Sequence, residues 1–331
     1  MKKGRKILLG TLPFLILALV LFLMFRNSFG TIWGQLRRTQ PGWLGVILIL
    51  GAVYQVLDAV PFCILIRRSI PGFTFWEALQ VTFLGIFLNV TTFGTGIKPG
   101  QMLYLYKKKG ADVGESFAVL ILPYMFHKVS IMMYASIMLW LEGDFIRGRY
   151  PDNYHYLYTG YGLSFVIVVV LILVCASDKF HKLLFRPLDA WIKKESWKKK
   201  IKDWKEEISK LQKEAHSIVR SPSLWVILSI INLVKLSLWY VIPLAAVKAV
   251  GAGTIGVKVP EILATSSFMQ LIVGVIPVTG GMGATEVVYQ LLYGVLFGEI
   301  TAGSTMILYR MANYYVPFLV SIGFALRLKT D

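Results

Sequence analysis

Six stretches of this chain, at about 7–25, 43–66, 116–141, 157–176, 223–247 and 301–326, are almost continuously apolar. Each is roughly the 20 residues that a helix needs to cross the ~30 Å hydrocarbon core of a bilayer. A soluble helix or strand would space its apolar residues at a period of 3.6 or 2 instead of massing them. Backbone inside lipid must satisfy its own hydrogen bonds, so such blocks span as helices. The expected fold is therefore an all-α polytopic membrane protein with about six full spans. Composition agrees: 56% of residues are hydrophobic and 16% charged, against about 25% charged in soluble domains.

The first block follows MKKGRK. It is long for a signal-peptide core, and FRNSFG offers no A-x-A cleavage site, so it reads as a retained span. The net charge of +17 sits mainly in connecting segments, as the positive-inside rule demands. No nucleic-acid motif accompanies it, and no nucleic-acid partner is expected. Cys63 and Cys175 lie in apolar blocks without a C-x-x-C neighbour, and the histidines lack metal-ligand spacing. Neither a metal nor a cofactor is expected.

Two further apolar segments, 77–108 and 260–298, are interrupted, the first at TTFGTGIKPG and the second at PVTGGMGATE. The piece from Glu286 to Gly298 is too short to cross at 1.5 Å per residue. Both segments are expected to be re-entrant helical hairpins. Lysine and arginine placement then puts both termini, residues 67–76, Lys107 to Lys109 and the segment 178–220 on the cytoplasmic side, and loop 142–155 outside. Arg26, Arg37 and Arg38 are exceptions. Segment 178–220 carries thirteen Lys or Arg and seven Asp or Glu. Ile201, Trp204, Ile208, Leu211, Ala215 and Ile218 recur at helical spacing within it. It reads as an interfacial helix on the cytoplasmic leaflet, or more sharply as a site for anionic headgroups.

Glu77 and Glu261 are 184 residues apart, as are Thr95-Gly96 and Thr279-Gly280. Span, hairpin and span follow in the same order around both. The chain thus reads as one transmembrane domain, 1–331. Repeat 1 covers about 43–141, a linking span 157–176, the basic segment 178–220, and an inverted repeat 2 about 223–326. Inverted repeats with broken helices are a carrier architecture with a site at the midplane. A channel, or a scaffold whose glycines only permit close packing, is the alternative.

Charges at membrane depth are costly and are functional candidates by default. They are Asp58, Lys98, Lys128, Lys235, Glu286 and Arg310. Four cations against two acids suit something negative. The two breaks lead into short helices whose N–H groups and dipole attract phosphate. Glu286 is expected to cap its helix, to pair with Arg310, or to meet an amino group of the substrate. Arg310 either holds phosphate bidentately or locks the second hairpin to the last span. Asp58 is expected to face the bundle beside Tyr54 and Gln55. No Ser-His-Asp, P-loop or dinucleotide pattern is present, and no enzymatic activity is expected.

The segments FLNVTTFGTGIKPGQMLYLYKKKG, GVIPVTGGMGATEVVYQLLYG and MILYRMANYY resemble the flippase-like transmembrane domain of lysylphosphatidylglycerol synthases, the multiple peptide resistance factor family. The P-x-x-G-G-x-G-x-x-E pattern with a later intramembrane Arg carries most of the resemblance, which covers roughly 43–326. The family often has an acid after the P-G, where this chain has Gln101. A Glu or Arg is also common early in the following span, where His127-Lys128 stands. The resemblance implies a plasma-membrane flippase of an anionic or aminoacylated phospholipid. Lys98, Gly100, Gly280, Gly281 and Arg310 would surround the lipid phosphate, with Glu286 near a cationic headgroup and Asp58 in the same substrate site. In the family a separate soluble domain makes the lipid. The chain ends at Asp331, so it is expected to be the translocase half alone. A lipid-synthesising enzyme and a second copy of the chain are its candidate protein partners. An ion-coupled transporter of a small anion, a headgroup-modifying enzyme, and a membrane subunit of a lipid lysyltransferase are the other readings.

Overall fold

The computed structural model describes residues 29–92, 94–152, 154–176, 221–252, 256–276 and 283–330. All regular structure among them is helical: α1 Phe29–Arg37, α2 Pro41–Ser69, α3 Phe75–Thr91, α4 Ile97–Lys109, α5 Val113–Arg149, α6 Tyr154–Ala176, α7 Pro222–Tyr240, α8 Ile242–Ala249, α9 Val259–Val275, α10 Ala284–Phe297, α11 Glu299–Arg310, a π-helical turn Met311–Tyr315, and α12 Val316–Thr330. Five segments are long and apolar enough to cross a membrane: Pro41–Ser69, Val119–Arg149, Tyr154–Leu173, Pro222–Ala249 and Glu299–Leu328. They coincide with five of the six expected spans. The sixth, 7–25, lies outside the described residues, as does the basic segment from 178 to 220.

Apolar side chains cover the outer faces of these helices. Leu163, Phe165, Val166 and Val170 of α6 are exposed, as are Val226, Ile227, Ile230 and Val234 of α7. Such a surface is at home only in lipid, and the protein is an all-α polytopic membrane protein.

Helices α3 and α4 have 17 and 13 residues, and α9 and α10 have 17 and 14. At 1.5 Å per residue none exceeds about 26 Å, short of the ~30 Å core. Each pair packs limb against limb. Thr74 caps α3 in a reciprocal capping box, with its own N–H given to Glu77 Oε2 at 2.7 Å. Lys258 N–H makes the matching 2.7 Å bond to Glu261 Oε2. The return bond is missing there because a lysine side chain has no acceptor. The two acids that are 184 residues apart thus do the same job at the start of each pair.

The packing is reciprocal. The first limb α3 lies on α12, and the first limb α9 lies on α5. Helices α2 and α7–α8 run antiparallel side by side. Gln40 N–H bonds Ala249 O at 2.9 Å at one end, and Leu65 packs with Leu224 and Leu228 at the other. Two boundaries differ from expectation. The span expected to end at 141 continues through a kink at Glu142 (φ −122°, ψ 22°) to Arg149. The span 223–247 breaks at Val241, where Pro243 in the first turn of α8 cannot donate back into α7.

One close approach ties the two halves. A methyl group on Gly51 of α2 would lie 2.6 Å from the carbonyl oxygen of Ala312 in the π turn. Backbone cannot step aside as a flexible side chain can. Gly51→Ala is therefore expected to cost about 1–3 kcal/mol, read as a lower Tm in detergent. An unchanged Tm would mean that α2 and the turn have room to part.

Candidate substrate site at half depth

Helix spacing puts Tyr54 and Asp58 one turn apart on the inner face of α2. Asp58 Oδ1 accepts a 2.6 Å bond from Lys235 Nζ of α7. The lysine side chain is 1% exposed and the aspartate 28%, so the carboxylate keeps an open side. The Lys235 ammonium also lies 5.5 Å from the Tyr54 ring centroid.

Lys98 enters from the first turn of α4. Its ammonium donates to Leu120 O at 2.8 Å and makes a longer contact of 3.5 Å with Gln101 Oε1. The rings of Phe62 and Tyr124 lie 5.8 and 6.0 Å away. Pro123 has no N–H to give to Val119 O, four residues before it, in the same turn as Leu120. Gln101 is buried and ties the hairpin together, with Nε2 donating to Val81 O at 2.9 Å. Gly85 leaves the room that this amide occupies.

Together these side chains wall a cavity of about 230 Å³ lined by Asp58, Pro61, Phe62, Thr82, Asn89, Lys98, Tyr124, His127 and Lys235 among others. Tyr124 is 43% exposed, so the cavity reaches the protein surface. Thr82 Oγ1 and His127 Nδ1 are buried there without a hydrogen-bond partner. A buried polar atom left unpaired costs about 1–3 kcal/mol, a cost that a polar group in the cavity would relieve.

Counting along the helices gives its depth. Asp58 lies eleven residues before Ser69, and Lys98 eleven before Lys109. Lys235 lies thirteen residues after Pro222, and His127 fourteen after Val113. At 1.5 Å per residue these are about 16–21 Å from the same end, near the middle of a ~30 Å core. That end is marked by Arg67 Nε on Phe73 O at 2.7 Å and by Lys109 Nζ on Glu77 at 2.8 Å.

The second charged pair lies elsewhere. Arg310 grips Glu286 bidentately, with Nε to Oε1 at 2.7 Å and a terminal N–H₂ to Oε2 at 2.8 Å. Their side chains are 5% and 0% exposed. Glu286 is eleven residues from Phe297, and Arg310 eleven from Glu299. The pair is thus about 16 Å from the opposite end.

Three of the expected site residues do not line this cavity. Glu286 and Arg310 hold each other, joining the second hairpin to the last span, and neither faces the cavity. Gly100 is a packing glycine: a side chain there would overlap Leu88 across the hairpin. Gly280 and Gly281 lie outside the described residues. Asp58 and Lys98 do share one site, 40 positions apart in sequence. The start of α4 supplies this lysine more than a ring of amides, because Gly96 N–H is taken by Thr92 Oγ1 at 2.8 Å and Pro99 has no N–H. Lys235 is already among the charges expected at membrane depth; the wall residues not anticipated are His127, Thr82, Asn89, Phe62 and Tyr124. The available signal was a proline inside each of two spans, Pro61 and Pro123, both of which line the cavity.

No curated protein matches this chain. The family described as lysylphosphatidylglycerol synthase TM region matches residues 10–321, nearly all of the 331 residues, and the chain belongs to that family.

Proposed function

We propose that the protein is a flippase. It passes the headgroup of an anionic or aminoacylated phospholipid through the half-depth cavity while the acyl tails stay in lipid. The observation that carries this reading is a polar cavity at mid-membrane, with unpaired polar atoms and a lysine in its wall. Its volume of about 230 Å³ is below the ~300–1,000 Å³ of pockets that enclose a whole drug-sized ligand. A headgroup suits it and two acyl chains do not. Lys98 would hold the phosphate, with Asp58 on the opposite wall.

The mechanism we favour is alternating exposure by two re-entrant hairpins in an inverted repeat. The reciprocal packing of α3 on α12 and α9 on α5 supports it, as do charged clusters at similar depths from opposite ends. The plasma membrane, with both termini cytoplasmic, is the location this reading assigns. The chain acts as a carrier and not a catalyst.

The test is headgroup accessibility in liposomes holding the purified protein and fluorescent phosphatidylglycerol. The protein is expected to expose inner-leaflet lipid much faster than protein-free liposomes do. Lys98→Gln is expected to slow the exchange about 10- to 100-fold, the worth of one charge-assisted hydrogen bond. A wild-type rate no faster than protein-free liposomes would overturn the reading. Flux of inorganic phosphate in its place would favour a small-anion carrier.

A further inference from the structure

We infer that the headgroup this protein handles is a phosphate without a compensating amine, and that Lys128 is a second station for it beyond Lys98; the inference rests on the flippase reading. Each of the two acids at membrane depth is already matched. Asp58 is held by Lys235 at 2.6 Å, and Glu286 by Arg310 at 2.7 Å. Two cations remain, Lys98 and Lys128, and no ion pair joins either to a carboxylate among the described residues. The apolar stretch 7–25 and the break 277–282 contain no ionisable residue that offers them one.

The two lysines flank one side chain. The Tyr124 ring centroid lies 6.0 Å from Lys98 Nζ and 5.6 Å from Lys128 Nζ. Lys98 faces the main cavity. Lys128 turns the other way, into a small recess with Ser164, Gln270, Leu271 and Gly274, beside the last turn of α9. One cation thus belongs to the second limb of the first hairpin, and the other touches the first limb of the second. A phosphate leaving Lys98 past the half-exposed tyrosine meets Lys128 next.

Carbonyls at the end of α9 compensate Lys128 only in part. A helix C-terminus carries about half a negative charge, so a net positive station remains. A lysyl ester would bring at least as many positive charges as its phosphate brings negative ones. In this site those amines would meet two unmatched ammonium groups and no available acid except the open side of Asp58. Hydroxyls fit better: Thr82, Asn89 and His127 line the cavity, and Thr82 Oγ1 and His127 Nδ1 are unpaired. A phosphoglycerol-type headgroup, one negative charge with neutral hydroxyls, matches both the charge and the lining.

Thermal stabilisation of the full-length protein in detergent tests the headgroup independently of movement. The probes are phosphatidylglycerol, its lysyl ester and inorganic phosphate, alongside the liposome assay. Phosphatidylglycerol is expected to raise the Tm at concentrations where the lysyl ester does little. Lys128→Gln and Lys98→Gln are each expected to weaken that response about 10- to 100-fold, with Lys128→Arg retaining it. Equal or stronger stabilisation by the lysyl ester would overturn the inference. So would a wild-type response from a folded Lys128→Gln protein, or inorganic phosphate matching the lipid. If the expected binding pattern appears but no lipid moves, flipping is refuted and the headgroup assignment stands. If the lysyl ester is moved in preference, flipping stands and the assignment falls.

Discussion

Arg310→Met alone is expected to destabilise the protein by about 3–5 kcal/mol, because it strands the Glu286 carboxylate in the protein interior. That carboxylate is 0% exposed, so water cannot take over from the guanidinium. Against a total stability of about 5–15 kcal/mol, the loss would appear as poor recovery of folded protein and a much lower Tm. The Glu286→Leu, Arg310→Met double variant should recover most of the loss, since an apolar pair of similar volume often replaces a buried ion pair without penalty. This separates a lock from a binding site. A lock between α10 and α11 needs only that the two side chains fit. Monodisperse protein of wild-type Tm from Arg310→Met alone would show that the pair contributes little to holding the second hairpin.

The pair in the cavity is expected to behave asymmetrically. Asp58→Leu leaves Lys235, 1% exposed, as an unpaired buried cation and should cost about 3–5 kcal/mol. Lys235→Leu leaves an aspartate that is 28% exposed and able to hydrate through the cavity. Its cost should be nearer the ~1 kcal/mol of a partly solvated pair. Thermal denaturation of the two variants side by side checks this. Equal losses would mean that the cavity is closed to water around Asp58.

The membrane-embedded fold was legible because lipid leaves few options. A block such as 43–66, apolar apart from Asp58 and Gln55, has to become a helix, and it lies within α2. Boundaries were less legible where tertiary packing overrides composition. The continuation of α5 past 141 depends on a single kinked residue, Glu142. The π turn at Met311–Tyr315 has no composition signal, and its carbonyl at Ala312 is what Gly51 accommodates. The break at Val241 did have one, in Pro243.

The site was legible as an inventory and not as an arrangement. Every charge in it was visible as a charge at membrane depth. Which acid meets which base was not, because Asp58 and Lys235 are 177 residues apart and helical periodicity carries no information across separate helices. Gly100 of the first glycine-rich break serves packing, its absent side chain making room for Leu88. The prolines at 61 and 123 marked the cavity more directly.

The most direct measurement of the central claim is photocrosslinking. Phosphatidylglycerol carrying a headgroup diazirine is irradiated in liposomes that hold the wild-type protein, and the adducts are mapped by mass spectrometry. Passage through the half-depth cavity predicts adducts on Phe62, Asn89 and Tyr124, lost on competition with unmodified lipid. Adducts confined to the lipid-facing side chains of α6, such as Leu163 and Val170, would contradict it.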